Sequence, residues 1–195
     1  MQHLTDEQLI LSYQKGEPGA MDELLRRYKN PVYHFSYRLC LNTAEAQDIT
    51  QEVFLRVHQH KDDYKPLAKF CTWLFCIAHN VYISRVRKQK WFVLWPRKHD
   101  CPEECVEFPS PDPTPCAAAE KRDFSALVQR SIQSLPFLQR EALILREYQN
   151  LDYQEISKIL NRSLGTVKTL IYRARQSLKI KLLPYVAESK GGSYE

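Results

Sequence analysis

The chain has 195 residues, of which 44% are hydrophobic, and its formal net charge is +5. This length suits one large domain or two small ones, and the apolar fraction is too high for a disordered chain. No apolar stretch approaches the ~20 residues that span a bilayer, and the N-terminus lacks the basic start and apolar run of a signal peptide. We therefore expect a cytoplasmic protein without membrane insertion. Its mild basicity suits a chain that meets nucleic acid through some of its surfaces.

The first ninety or so residues have helical patterning throughout. Thr5 is predicted to be an N-cap, with Gln8 three residues later to complete a capping box. Pro31 is expected to interrupt the helical pattern that follows. Between residues 44 and 60, apolar side chains recur at i, i+4 and i+8, which predicts an amphipathic helix. Those side chains are Ile49, Val53 and Val57.

A second strong helix follows, with an apolar stripe from Phe70 to Val81. Trp73 lies on that stripe and is therefore predicted to belong to the core. His79 is a lone histidine, which in such a position is usually structural. The helix is predicted to end in a basic cluster of Arg85, Arg87, Lys88 and Lys90.

Residues 91–119 change character, because prolines and carboxylates dominate the segment that follows the short apolar stretch from Trp91 to Trp95. No core can be built from such a segment, so it is predicted to be an extended acidic linker. Helical patterns resume over 120–186, and a flexible tail is expected at 187–195. The predicted fold is all-α, with two small helical domains at 1–90 and 120–186 joined by the linker.

The most specific signal lies between residues 153 and 178, where a short amphipathic helix, a tight turn and a second helix follow one another. Ser163 can cap the second helix, which is predicted from about 164 to 183. Apolar residues of this helix recur at i, i+4, i+7 and i+11 and must face the core, whereas the opposite face is polar. The core-facing residues are Val167, Ile171, Ala174 and Leu178; the polar face holds Lys168, Thr169, Tyr172 and Gln176, flanked by Arg162, Arg173 and Arg175.

This pattern is typical of a DNA-binding helix-turn-helix, in which the second helix enters the major groove. Lysine can donate to guanine, threonine can hydrogen bond or touch a thymine methyl, and tyrosine offers a hydroxyl and a flat face. Arginines at the margins suit phosphate contacts. The motif does not by itself identify the protein, because many regulators carry it.

Two separated segments together resemble the sigma factor family, specifically its small extracytoplasmic-function (ECF) class. Their order and spacing match region two and region four of that family, and the middle region of larger sigma factors is absent, as in the ECF class. The resemblance covers everything except the linker and the tail. The matching residues are 48–55 and 70–80 in the first segment, and Leu135-Pro136, Arg140-Glu141, 153–156, 165–168 and 172–175 in the second.

The resemblance implies that region two docks on the clamp helices of the largest subunit of core RNA polymerase. The loop at 61–69 and the helix after it would bind the −10 promoter element as a single strand, with a base flipped out at a cost on the order of a few kcal/mol. Stacking and a positive groove would offset that cost. The implied polymerase contacts are Asp48, Gln51 and Glu52; the implied −10 contacts are Tyr64, Lys65, Lys69 and Asn80, with Arg85, Arg87 and Lys88 on backbone phosphates.

Region four would bind the −35 element as duplex DNA and contact the flap region of the polymerase. The linker would run through the active-centre cleft, where its carboxylates could mimic nucleic acid. An anti-sigma factor is the expected regulator, and neither a catalytic residue set nor a cofactor is expected. The implied −35 contacts are Arg162, Ser163, Lys168, Thr169, Tyr172, Arg173 and Arg175.

The sequence departs from its relatives in two places. The loop at 65–69 reads Lys-Pro-Leu-Ala-Lys and lacks the small Gly and Ser residues common in the family. Cys76 stands where an arginine is usual. Both departures fall in the segment that would recognise the −10 element.

The chain holds six cysteines, and three of them lie in helical patterns: Cys40, Cys71 and Cys76. These three are expected to be small buried thiols. The linker holds the others, with a histidine nearby: His99, Cys101, Cys105 and Cys116. They fit the spacing of a zinc site only loosely, so free thiols in a flexible loop are favoured over a metal or redox sensor.

Two rival interpretations remain at this stage. The chain could be an ordinary helix-turn-helix repressor or activator, which would bind duplex DNA tightly by itself, usually as a dimer on a palindrome. It could also be a metal- or thiol-based sensor in which DNA binding is secondary. A sigma factor should instead bind promoters well only with core polymerase.

Overall fold

The computed structural model describes residues 3–93 and 115–191. No strand occurs in those two ranges, so the all-α prediction is confirmed. None of the described helices combines the length and apolarity that crossing a bilayer requires. The helices are α1 (Asp6–Gln14), α2 (Pro18–Cys40), α3 (Thr43–Gln59), α4 (Phe70–Val93), α5 (Pro115–Gln133), α6 (Phe137–Glu147), α7 (Tyr153–Leu160) and α8 (Leu164–Gly191), with a 3-10 turn at Lys61–Asp63.

Helices α1 to α4 form the N-terminal unit, in which α2 packs on α1 and α3, and α3 packs on α4. Phe35 of α2 meets Phe75 of α4 edge to face, with ring centroids 5.3 Å apart, and neither side chain is more than 1% exposed. Ile49, Val53 and Val57 are fully buried. The amphipathic pattern therefore identified the core face of α3 correctly.

The predicted capping box at the start of α1 is confirmed. The Thr5 hydroxyl accepts from the Gln8 N–H at 3.3 Å, and the Gln8 side-chain oxygen accepts from the Thr5 N–H at 2.9 Å. Two N–H groups that the helix cannot satisfy internally are thereby paired.

Replacing Thr5 with Ala is expected to lower the free energy of unfolding by about 1 kcal/mol, because the Gln8 N–H loses its acceptor. Thr5→Ser keeps a hydroxyl and should stay close to the wild type. Urea denaturation of the two variants measures the difference. An equal loss in both would show that the hydroxyl does not stabilise the helix.

The expectation that Pro31 interrupts the helical pattern is wrong. Pro31 lies inside α2, which continues from Pro18 to Cys40. Proline lacks an N–H, so one hydrogen bond of the helix is lost. Burial of Leu24, Val32 and Phe35 on the same helix supplies packing on both sides of the proline, and tertiary burial of this kind overrides a local preference.

Helices α5 to α8 form the C-terminal unit, in which α6, α7 and α5 each pack on α8. Its core contains Ile144, Ile156, Val167 and Ile171, none more than 1% exposed. Leu178 is only half-buried, so the predicted core stripe of α8 weakens toward its C-terminus.

Helices α4 and α5 reach into both ends of the range predicted as linker, since α4 continues to Val93 and α5 begins at Pro115. Helix α8 likewise runs to Gly191, past the predicted end of the second domain. The remainder of the predicted linker, including His99, Cys101 and Cys105, lies outside the described residues, as does the side chain of Cys116.

Candidate nucleic-acid interface

Helix α7, the turn and α8 form the predicted helix-turn-helix. Asp152 caps α7, because its carboxylate accepts from the Glu155 N–H at 2.8 Å while Glu155 Oε2 accepts from the Asp152 N–H at 2.8 Å. Asn161 ends α7 in the left-handed region, with φ 49°. Ser163 caps α8 as predicted, since its hydroxyl oxygen accepts from the Thr166 N–H at 3.2 Å.

The two faces of α8 separate as the sequence predicts. Val167, Ile171 and Ala174 are at most 1% exposed, whereas Tyr172 is 63% exposed. Lys168, Thr169 and Gln176 are also exposed. The Thr169 hydroxyl donates to the Gly165 carbonyl at 2.9 Å. Because its proton is used in this way, the side chain can contact a ligand through its methyl group or accept a hydrogen bond through its oxygen.

The flanking arginines differ in their partners. Arg162 and Arg173 are exposed beside the polar face. Arg175 donates to Glu147 Oε1 from Nε at 3.0 Å and from Nη2 at 2.5 Å, and this hydrogen bonding raises the pKa of its guanidinium. An existing ion pair with α6 therefore orients Arg175 before any ligand arrives.

In the N-terminal unit, the loop after the 3-10 turn is held by side chains of its neighbours. Gln14 Nε2 donates to the carbonyl oxygens of Lys61 at 2.6 Å and Tyr64 at 3.0 Å. Lys65 and Leu67 point outward, and Leu67 is 86% exposed.

Tyr64 was expected to contact the single strand, but the structure places it in the core. Its side chain is 3% exposed, its hydroxyl donates to the Ala68 carbonyl at 2.8 Å, and its ring lies 5.3 Å from that of Trp73. A ring packed in this way cannot stack on a base. Tyr64 therefore shapes the loop from inside, and Trp73 packs against the core as predicted.

The basic end of α4 lies apart from the loop along the same helix. Asn80, Arg87 and Lys88 are exposed. Arg85 Nη1 lies 3.6 Å from Asp48 Oδ2 of α3, which joins a predicted phosphate contact to a predicted polymerase contact.

The outer face of α3 carries the three predicted polymerase contacts. Asp48 and Gln51 are exposed, and Glu52 Oε1 accepts from Arg56 Nε at 2.8 Å. Leu55 is 51% exposed on the outside of the same helix. Sequence reasoning did not single out this leucine, although a large apolar residue off the core stripe of an amphipathic helix is a recognisable signal.

A contact between the two units, in which α4 packs on α7, was not predicted from the sequence. Lys69 Nζ lies 2.9 Å from Glu155 Oε1, and this hydrogen bond raises the lysine pKa. His79 Nδ1 lies 2.7 Å from Glu141 Oε1 of α6, so His79 has the structural role expected of it. Glu141 is fully buried.

Comparison with known proteins finds two family models that match separate parts of the chain. A family model described as Sigma-70 region 2 matches residues 24–92, and one described as Sigma-70, region 4 matches residues 125–178. The chain is 33% identical to the ECF RNA polymerase sigma factor SigW of Bacillus subtilis, over 89% of this chain and 94% of that one. It is 34% identical to the ECF RNA polymerase sigma factor SigE of Mycolicibacterium smegmatis, over 89% and 67% of the two chains.

A solved structure with the same fold is the sigma factor RpoE of Bartonella quintana, crystallised with the anti-sigma factor NepR. It superposes with a TM-score of 0.70 at 20% identity, covering 83% of this chain and 95% of that one. From the two family models and the identity to SigW across nearly the whole of both chains, we conclude that this protein belongs to the ECF RNA polymerase sigma factors, a family of transcription initiation factors and not of enzymes.

Proposed function

We propose that this chain binds core RNA polymerase and directs it to promoters whose −35 element is recognised by α8 and whose −10 element is bound as a single strand by the 61–69 loop and α4. The observation that carries this proposal is the division of α8 into a buried apolar face and an exposed polar face. Lys168, Thr169 and Tyr172 project from the exposed side. A recognition helix needs this division, because its base-contacting side chains must be free while its other face is fixed to the domain.

For the −35 element, we propose that the polar face of α8 contacts base edges and that the residues around it contact phosphates. Lysine is suited to guanine, and the Thr169 methyl to thymine. The capped N-terminus of α8 adds backbone N–H groups, which favour phosphate oxygens. The proposed contacts to the DNA backbone are Arg162, Ser163, Arg173 and Arg175.

For the −10 element, we propose that Lys65, Lys69 and Asn80 contact the displaced strand. Arg85, Arg87 and Lys88 follow along α4 and suit its phosphates. The burial of Tyr64 changes its proposed role, because its ring supports the loop that presents Lys65 and Lys69 instead of stacking on a base.

For the polymerase, we propose that the outer face of α3 docks on the clamp helices of the largest subunit. Asp48, Gln51 and Glu52 supply polar contacts, and the exposed Leu55, one turn further along α3, adds apolar area to that surface. Region four would contact the flap region.

We propose region two at 1–90, a linker at 91–119 that runs through the active-centre cleft, region four at 120–186 and a tail at 187–195. We further propose that the chain acts in the cytoplasm without catalytic activity or a cofactor of its own. An anti-sigma factor is the proposed regulator, supported by the relative from Bartonella quintana that was solved with one.

In vitro transcription with core RNA polymerase tests this proposal. Core enzyme alone, core enzyme with the chain, and core enzyme with heat-denatured chain are given a fragment library of genomic DNA, and transcript 5′ ends are sequenced. We expect start sites that need the folded chain and share two spaced sequence elements upstream. Transcripts that are the same in all three reactions would refute the proposal.

A further inference from the structure

The last residue of α6 is a carboxylate in a position that local electrostatics disfavours. Glu147 ends α6, where the terminal carbonyl groups form the negative end of the helix dipole, so an acidic side chain is repelled there. The same side chain lies beside α8, the helix proposed to enter the DNA, whose phosphates would repel it as well. A residue that carries two unfavourable charge effects needs a partner that offsets them.

That partner is Arg175 of α8. Its Nε and Nη2 atoms both donate to Glu147 Oε1, at 3.0 Å and 2.5 Å. This hydrogen bonding raises the pKa of the guanidinium, and the Tyr153 hydroxyl of α7 acts in the same direction. Glu147 is bonded along the side of the guanidinium, between Nε and Nη2, so the end between Nη1 and Nη2 lies outside the pair and can donate to another acceptor.

Arg175 continues the proposed DNA face of α8. It follows Lys168 by seven residues and Tyr172 by three, so the three side chains share one face at helical spacing. At about 1.5 Å per residue, Arg175 lies about 10 Å further along the axis than Lys168. The first turns of a recognition helix meet base edges, whereas a residue this far along has nearly crossed a groove roughly 12 Å wide and meets the DNA backbone.

The backbone that carries Glu147 is itself held in place. The neighbouring Arg146 donates from Nη1 to the Leu151 carbonyl at 2.8 Å, and its guanidinium lies 5.1 Å from the centroid of the Tyr153 ring. These contacts tie the end of α6 to the start of α7. Glu147 therefore meets Arg175 from a fixed position, and the longer arginine is the side chain whose conformation the pair selects.

We propose that Glu147 is a positioning residue for DNA binding, which holds Arg175 so that the end of its guanidinium meets a phosphate of the −35 duplex. A long side chain loses conformational freedom when it binds, and a pair that orders it beforehand removes part of that cost. The effect is opposite in sign to that of charge alone, since deleting a carboxylate near DNA would otherwise strengthen binding. This inference rests on the proposed contact of Arg175 with the DNA backbone.

The test uses the full-length chain and a fluorescein-labelled duplex of mixed sequence, because a phosphate contact does not depend on the bases. Fluorescence anisotropy gives the affinity at several salt concentrations. Glu147→Ala removes the carboxylate, Arg175→Ala removes the guanidinium, and a third variant carries both changes. Alanine is the best helix former, so α6 and α8 should stay intact. Asp22→Ala removes an exposed carboxylate from α2 and is the matched control.

Arg175→Ala establishes the contact on which the proposal depends. We expect it to weaken duplex binding and to reduce the slope of log K against log salt concentration by about 0.9, the contribution of one phosphate. An unchanged affinity and slope would overturn the proposal, because Arg175 would then have no phosphate to meet.

Glu147→Ala decides between positioning and repulsion. We expect it to weaken duplex binding about twofold to fivefold, as the loss of a half-exposed ion pair allows, whereas Asp22→Ala should leave binding unchanged or slightly stronger. In the chain that already carries Arg175→Ala, the same substitution should no longer weaken binding, because no guanidinium is left to hold.

Three results would overturn the proposal. Binding that is unchanged or stronger in Glu147→Ala would mean that the carboxylate does not prepare Arg175 for DNA. Equal weakening with and without Arg175 would mean that Glu147 acts through the fold and not through the guanidinium. A fall in thermal stability, followed by circular dichroism, with unchanged duplex affinity would mean that the pair only ties α6 to α8.

None of these measurements uses polymerase or a promoter. A failure in the transcription experiment would therefore refute the proposed function without changing the duplex affinities. Unchanged duplex affinities would leave promoter-specific transcription intact.

Discussion

Removal of the Lys168 side chain is expected to reduce transcription from a −35-dependent promoter about 5-fold to 150-fold, because a specific base contact is worth about 1–3 kcal/mol. Lys168 is exposed on α8, directly after the buried Val167, so truncation to Ala leaves the fold of the helix unchanged. Run-off transcription with core polymerase, on a promoter found with the wild-type chain, measures the effect.

Two controls separate loss of recognition from loss of charge. Lys29→Ala removes an equivalent exposed lysine from α2 and should transcribe like the wild type. A template with a scrambled −35 element should be used equally by the wild type and Lys168→Ala. If Lys168→Ala has the wild-type preference for the intact element, Lys168 is not a base contact.

Phe35→Ala is expected to lower the free energy of unfolding of region two by about 3–5 kcal/mol. Phe35 is fully buried, and its ring joins α2 to Phe75 on α4. Truncation leaves a cavity under the helix that is proposed to hold the −10 strand, so strand-dependent activity should fall together with stability. Urea denaturation followed by far-ultraviolet circular dichroism measures the change.

Leu67→Ala is the matched control for that loss, since it also truncates a large apolar side chain of region two. Leu67 is 86% exposed, and its truncation should change the free energy of unfolding by no more than about 0.5 kcal/mol. Equal stability of Phe35→Ala and the wild type would mean that the contact between α2 and α4 does not hold the region together.

Local patterns predicted the helices and the faces of the recognition helix well. The Thr5 capping box, the core stripe of α3 and the polar face of α8 each depend on residues close together in the chain, where spacing fixes geometry. Pro31 was misjudged for a related reason. The local cost of a proline is visible in a sequence, but the burial of α2 on both sides of it, which offsets that cost, is not.

The contact between the two regions could not be predicted from spacing. Thr72, Cys76 and His79 form a stripe, but they are polar or only weakly apolar, so the stripe does not stand out from a solvated face. Thr72 and His79 are bonded to Glu155 and Glu141, which are more than 60 residues away in sequence. Tyr64 was misassigned in a similar way, because an aromatic residue in a basic loop suits base stacking and core packing equally well.

The described cysteines also bear on the thiol-sensor alternative. Burial raises the pKa of all three, and that of Cys71 to about 12. A thiol with so high a pKa is a poor nucleophile at neutral pH, because the thiolate is the reactive form. Among the described residues, no group of three or more His, Cys, Asp and Glu side chains is placed to hold a metal ion.

Glu155 divides its two carboxylate oxygens between two tasks. Oε2 accepts from the Asp152 N–H and starts α7, whereas Oε1 faces Lys69 of the other region. Alanine at this position should consequently disturb two places at once, because the Asp152 N–H at the start of the DNA-binding motif would lose its acceptor and Lys69 would lose its partner, whereas glutamine keeps an oxygen for the Asp152 N–H. A substitution at Glu155 is therefore tolerated only if the new side chain can both cap α7 and face the Lys69 ammonium.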